Sequence, residues 1–169
     1  MGRFAVVAIL FTAAVSSGQA QHHKIADVVY ARLGNDVLGL DLYLPTPSGA
    51  PLVVYVHGGA WRSGSKSSVM LDLFGGYAVA SVDYRLSRTE KFPAQVHDIK
   101  AAIRFLRAEQ PKYGYDSSRI AIAGVSAGAH LAALVGVTNR HPKLEGQVGE
   151  KPGSSSDVAA IVSLFGASN

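Results

Sequence analysis

The run Ile120-Ala121-Ile122-Ala123-Gly124-Val125-Ser126-Ala127-Gly128-Ala129-His130 decides how this chain reads. Its first half is apolar and strand-length, its second half is rich in small residues and opens a helix, and Gly-x-Ser-x-Gly stands between them. A serine at so tight a strand-to-helix reversal is forced into a strained backbone conformation, with its hydroxyl presented at the end of the sheet. Gly124 and Gly128, two residues to either side of Ser126, leave room for strand and helix to pass closely. Ser126 is the candidate nucleophile.

A second motif lies upstream. His57-Gly58-Gly59-Ala60-Trp61 directly follows the apolar stretch Leu52 to Val56. Acyl transfer needs donors aimed at the oxygen that turns negative, and backbone N–H groups supply them without reorganisation. Consecutive glycines let a loop turn its amides inward with no side chain in the way. Gly59 and Ala60 are the preferred oxyanion donors, Gly58 is a further candidate, and Ala127 N–H completes the set at the start of the following helix. His57 could act as a base, but a histidine between a strand end and glycines is better read as bracing its loop through a hydrogen bond. Trp61 either lines the acyl pocket or caps the core.

The other histidines are poor chemistry. His130 is one helical turn beyond Ser126 and should project along the helix. His22-His23 and His97-Asp98 are adjacent pairs, which do not converge on one metal. Cysteine is absent, so disulfides, thiol catalysis and thiolate metal sites are ruled out. Neither a metal nor a cofactor is expected. An ion pair between Arg85 and Asp98, tying a strand end to the next helix, is expected in place of a catalytic role for either.

The rest of the chain reads as α/β. Residues 25–30 and 37–44 are strands joined at Gly34-Asn35-Asp36, which suggests an antiparallel hairpin. Residues 52–56, 77–82, 119–123 and 158–165 read as buried strands, the unbroken apolar runs pointing to a mostly parallel sheet through about strand six. Between them come a short helix around 69–74, a long one from Pro93 to the breaker Pro111, and another over 126–137, with residues 139–157 as a loop. Strands alternating with helices imply right-handed crossovers and helices on both faces of the sheet.

Composition limits what such a domain can do. The chain has 169 residues, enough for one domain with a real core. Residues 1–20 combine Arg3, an apolar run from Phe4 to Val15 and small residues ending at Ala20, the pattern of a secretory signal. This run of twelve residues, broken only by Thr12, falls short of the roughly 20 a membrane span needs. The formal charge is +4 with scattered basic residues, too mild and too dispersed for nucleic acid. The expected product is a secreted or periplasmic domain over 21–169, with no stable membrane span.

Taken in order, His57-Gly58-Gly59-Ala60-Trp61, Asp83-Tyr84-Arg85-Leu86, Phe92-Pro93-Ala94 and Gly124-Val125-Ser126-Ala127-Gly128 resemble the α/β-hydrolase superfamily. More narrowly, the chain is similar to hormone-sensitive-lipase-like esterases and to carbohydrate esterases that remove acetyl or feruloyl groups, over about Val28 to Phe165. The resemblance implies a serine carboxylesterase acting through an acyl-enzyme on Ser126, on small-molecule or polysaccharide esters. It also implies a triad in the order serine, acid, histidine. Glu145, Glu150 and Asp157 follow Ser126, yet no histidine follows any of them. Two smaller departures are Ala60 at a position where a third glycine is usual, and Ala167 and Asn169 where a proline and an aspartate are usual.

The chain thus resembles the N-terminal portion of such an enzyme, an incomplete α/β-hydrolase fold truncated at its C-terminus. Its last strand should then form an uncovered apolar edge. The alternative is a catalytically incomplete hydrolase-fold binding protein.

Overall fold

The computed structural model describes residues 21–167, so the signal-like segment and Ser168-Asn169 lie outside the described residues. Six strands form one sheet in the order β1-β2-β4-β3-β5-β6. They are β1 (His22–Leu33), β2 (Asp36–Pro45), β3 (Pro51–Val56), β4 (Ala78–Val82), β5 (Asp116–Val125) and β6 (Ala160–Leu164). The hairpin β1/β2 is antiparallel and β2 joins β4 antiparallel, while β3 pairs in parallel with both β4 and β5, and β5 with β6. This is the expected α/β architecture, a hairpin grafted onto a parallel sheet.

The two sheet faces are covered unequally. Leu52, Val54 and Val56 of β3 point to one side, where they join Ile99, Ile103 and Leu106 of α1 (Ala94–Tyr113) and Leu131, Ala132 and Val135 of α2 (Ala127–Val137). Val53 and Tyr55 point to the other, where Phe74 and partly buried Val69 and Leu71 cover them from short 3-10 turns at Lys66–Ser68 and Leu71–Phe74. Both long helices therefore share one face, where the sequence reading placed helices on both, and among the described residues only brief turns serve the opposite one.

Three boundaries differ from the sequence reading. Pro111 does not end α1, because so late in a helix it forfeits a single N–H bond; the stop comes at Gly114, in a left-handed conformation with φ 77°, whose N–H donates to Gln110 O. The loop 139–157 contains one helical turn, α3 (Pro142–Glu145), opened by its proline. The last strand is shorter than 158–165 and is not buried: Ile161 and Val162 are each 39% exposed and Phe165 is 88% exposed. Composition marked it for burial, but β6 is the sheet's edge and has no neighbour on its outer side among the described residues.

The stretch before β6 is anchored by buried charge. Glu145 receives Lys100 Nζ at 2.6 Å, Arg104 Nη1 at 3.3 Å and Ser156 Oγ at 2.6 Å, with both basic side chains nearly buried on α1. Burial acts to raise the Glu145 carboxyl, yet these partners outweigh it and hold it below its ordinary value. Another buried carboxylate, Asp41, receives Lys24, Lys66 and the Asp27 N–H, which against the opposing effect of burial hold it at about 2.

Candidate active site

Ser126 sits where β5 turns into α2, exposed, with φ 55° and ψ −121°. A non-glycine residue held there carries about 1–3 kcal/mol of backbone strain. The surroundings that enforce it are backbone. A Cβ on Gly124 would run into the carbonyl of Gly128, and a Cβ on Gly128 into the carbonyl oxygens of Val56 and His57. Ser126 N–H donates to Leu164 O at 2.9 Å, tying the turn to β6 as well.

The loop after β3 meets this turn. A Cβ on Gly58 would lie 2.9 Å from Val125 O and 3.3 Å from Ser126 Cβ, so the loop backbone runs directly beside the serine. Gly59, Ala60 and Trp61 all have positive φ, at 110°, 52° and 60°. Gly59 O accepts the N–H groups of Arg62 and Ser63 in a tight turn, while the N–H groups of Gly59, Ala60 and Ala127 donate to no backbone acceptor among the described residues. Free N–H groups on this loop and at the helix start are what stabilisation of an oxyanion requires.

His57 is buried beneath this loop. Its Nδ1–H donates to Gly58 O at 2.8 Å, and its ring stacks on Tyr84 at 4.4 Å between centroids. Tyr84 O–H donates back to His57 O at 3.1 Å. A Cβ on Gly64 would press on the His57 ring, so the far end of the loop closes over it. Burial lowers the His57 pKa from its ordinary value, against the raising effect of its bond to Gly58 O. This geometry suits a brace, with the ring's donor already engaged.

Asp83, quoted in the Asp83-Tyr84-Arg85-Leu86 motif without a role of its own, holds the turn that follows the loop. Its carboxylate accepts Lys66 N–H at 2.7 Å, and its carbonyl accepts Tyr30 O–H at 2.7 Å. The expected Arg85 to Asp98 pair is present and doubled, Nη2 to Oδ1 at 2.7 Å and Nε to Oδ2 at 2.9 Å, with Asp98 at 0% exposure. Arg85 N–H also reaches Asp98 Oδ2 at 3.0 Å.

Of the two readings left open for Trp61, the structure shows the contact with the core. Trp61 also walls a cleft of about 530 Å³ that begins at Ala60 and is shared with Phe92, Gln95, His130 and Leu131. His130 lies edge-on to Trp61 at 5.4 Å, which makes it part of this wall. Phe92 stood in the Phe92-Pro93-Ala94 motif without a role, and Gln95 was missed, since nothing in local pattern sends the start of α1 to this cleft.

Two of the three acids that follow Ser126 are engaged elsewhere: Glu145 by the α1 cations, and Asp157 by Arg140 at 2.7 Å. His97 Nε2–H is directed at Lys143 O and His22 Nε2–H at Tyr77 O. Among the described residues no helix is long and apolar enough to cross a membrane.

The chain matches the BD-FAE family over residues 40–169. It belongs to that family. Similarity to known proteins follows the same line within the α/β-hydrolase esterases. Esterase LipC of Mycobacterium tuberculosis is 38% identical over 122 residues, which are 69% of this chain and 30% of LipC. The bifunctional GH43-CE of Bacteroides eggerthii superposes with a TM-score of 0.76 at 41% identity, covering 85% of this chain and 21% of that one. A truncated carbohydrate esterase from gut microbiota gives 0.74 at 32% identity, with 89% of this chain and 59% of that one covered. This BD-FAE-family chain therefore spans only part of the length of the relatives it matches.

Proposed function

We propose that this chain carries the nucleophile-bearing part of a secreted serine carboxylesterase, whose acid and histidine lie in sequence beyond these 169 residues. The observation that carries the reading is Ser126 at φ 55° with the Gly58 backbone against its Cβ. Ser126 Oγ would attack the ester carbonyl, forming the new C–O bond as the carbonyl oxygen takes up negative charge. Gly59, Ala60 and Ala127 N–H groups would receive that charge, each donor worth about 3 kcal/mol in the barrier. The alcohol then departs with a proton, and water releases the acid from the serine. A base is needed to take the Ser126 proton, and His57 is committed to Gly58 O. Without triad partners, an oxyanion hole and binding leave only about 10³-fold catalysis over water.

Carbohydrate esters enter as candidate substrates because the structural relatives include carbohydrate esterases. Residues 1–20 support export; fused to a reporter enzyme, they should deliver it outside the cytoplasm, and retention inside would refute that part. The second reading, a hydrolase-fold binding protein, is favoured by the engagement of His57, Glu145 and Asp157 away from Ser126. Sequencing the gene past codon 169 separates the two. An in-frame continuation encoding an aspartate and a later histidine supports the esterase, and a stop codon in several independent isolates overturns it. Residues 21–169 alone should leave Ser126 unlabelled by an organophosphonate, whereas the whole enzyme should be labelled there and its Ser126→Ala variant should not.

A further inference from the structure

We propose that the groove between the outer edge of β1 and the C-terminal half of α1 is a second binding site, separate from the Ser126 turn, for an uncharged polyhydroxylated chain, a neutral glycan. The inference does not depend on the reading of Ser126. The groove encloses about 530 Å³, within the roughly 300–1,000 Å³ of small-molecule sites, and shares no residue with the cleft at Ala60. β1 stands four positions from β5 in the sheet order, about 19 Å away at ~4.8 Å per strand.

The groove has two kinds of wall. Residues 25–32 of β1 line one side without a gap, whereas a strand seen face-on would offer only alternate residues. β1 therefore lies edge-on to the groove. It has no neighbour on that side among the described residues, so its outward N–H and C=O groups are open to a ligand. From α1 come Phe105, Glu109, Lys112 and Tyr113, spaced to share one helix face, and Glu150 and Lys151 complete the lining. Phe105 and Tyr113 pack partly against the core, and the Tyr113 ring lies nearly parallel to Tyr115, with 9° between them.

Charge decides which ligand fits. Arg32, Lys112 and Lys151 are matched by Asp27, Glu109 and Glu150, so the lining has no net charge in a chain of +4. Lys151 pairs with Glu109 at 3.0 Å and Asp27 with Lys66 at 2.8 Å, whereas Arg32, Lys112 and Glu150 form no ion pair among the described residues. An entering ion would lose hydration with no net countercharge to replace it, and no field would draw it in. A sugar ring both gives and takes hydrogen bonds, and it lays an apolar face on an aromatic ring. A peptide joining as a further strand needs a regular ladder, and β1 interrupts its own with two bulges, between Ile25 and Val28 and between Val29 and Ala31. These observations favour a glycan over a peptide.

Hydrogen–deuterium exchange on the full chain locates such a ligand without turnover, so its outcome is separate from that of Ser126 labelling. Unacylated xylohexaose or cellohexaose should slow exchange over 25–32 and 105–113, and hexagalacturonate or the glucosamine hexamer should need at least about fivefold more for the same protection. Tyr113→Ala should raise the half-saturating concentration about fivefold, the scale of one aromatic contact. Because Tyr113 also packs on the core, a second variant carries the test. Glu109→Gln with Glu150→Gln leaves the core untouched and three basic groups against one acidic, and should bring hexagalacturonate level with the neutral sugars or ahead of them. The proposal is overturned if neither neutral hexamer protects 25–32 and 105–113, if protection is confined to 57–64, or if hexagalacturonate protects the unmodified chain equally. Stronger protection by an uncharged threonine–valine hexapeptide would overturn it in favour of strand addition.

Discussion

The two flanks of β5 are finished to different degrees. On the β3 side, backbone meets backbone with no room for a methyl group at Gly124 or Gly128, and the loop after β3 is locked over a buried histidine. On the β6 side, Ile161, Val162 and Phe165 remain exposed on an edge strand. Ser126 belongs to both, touching Gly58 on one side and donating to Leu164 O on the other. The difference teaches that a nucleophile elbow can be fully shaped by short-range packing while the sheet around it still lacks cover.

Adding a methyl group to the tight flank should do the most damage. Gly128→Ala pushes a Cβ into two fixed carbonyl oxygens, and a loss of more than about 3 kcal/mol is expected in a urea titration. A loss under about 1 kcal/mol would show that strand and helix there are free to separate. Next is Asp98→Ala, which leaves Arg85 without its buried partner and should cost about 3 kcal/mol in the same titration.

A matched pair then tests the contrast itself. Val53→Ala, on β3 at 4% exposure, should cost about 2 kcal/mol, while Val162→Ala, on the same sheet face of β6, should cost less than about 1 kcal/mol. Equal losses would mean that the β6 edge is covered in solution. In the same sense, the chain should bind a hydrophobic dye and self-associate, and Phe165→Ser should reduce both.

The smallest effect is on pH dependence. Burial places the folded-state pKa of His57 below its ordinary value of 6.5, so the unfolded chain binds the proton more readily. Its contribution is present above about 6.5 and is lost as pH falls below that value. Denaturant midpoints between pH 7.5 and 5.5 should therefore fall with pH, and less steeply in His57→Asn. Asp41 acts only in stronger acid, between its ordinary value of 3.8 and about 2, where protonation costs the hairpin its lysine partners.

Most of the site was legible because its signals are local. Gly124, Ser126 and Gly128 declare a turn, and Gly58-Gly59 after an apolar strand declares a loop with exposed amides. The Arg85–Asp98 pair was readable from charge at a strand end and on the following helix. What escaped notice depends on distant partners. Lys100 and Arg104 look like the polar positions of an amphipathic helix until Glu145 arrives from the far side of α2 to bury them. Gln95 looks like an ordinary helix residue until the Arg85 to Glu90 turn takes both its N–H groups.

The sequence by itself determined the serine turn, the glycine loop beside it and the parallel sheet that joins them, because glycine placement and apolar run length act over a few residues. Only the tertiary structure decided that both long helices share one face, that β6 is an exposed edge despite its composition, and that a cleft walled by Trp61 opens beside Ala60. Burial and hydrogen-bond satisfaction are properties of neighbours brought together by the chain's path, and no local pattern records who those neighbours are.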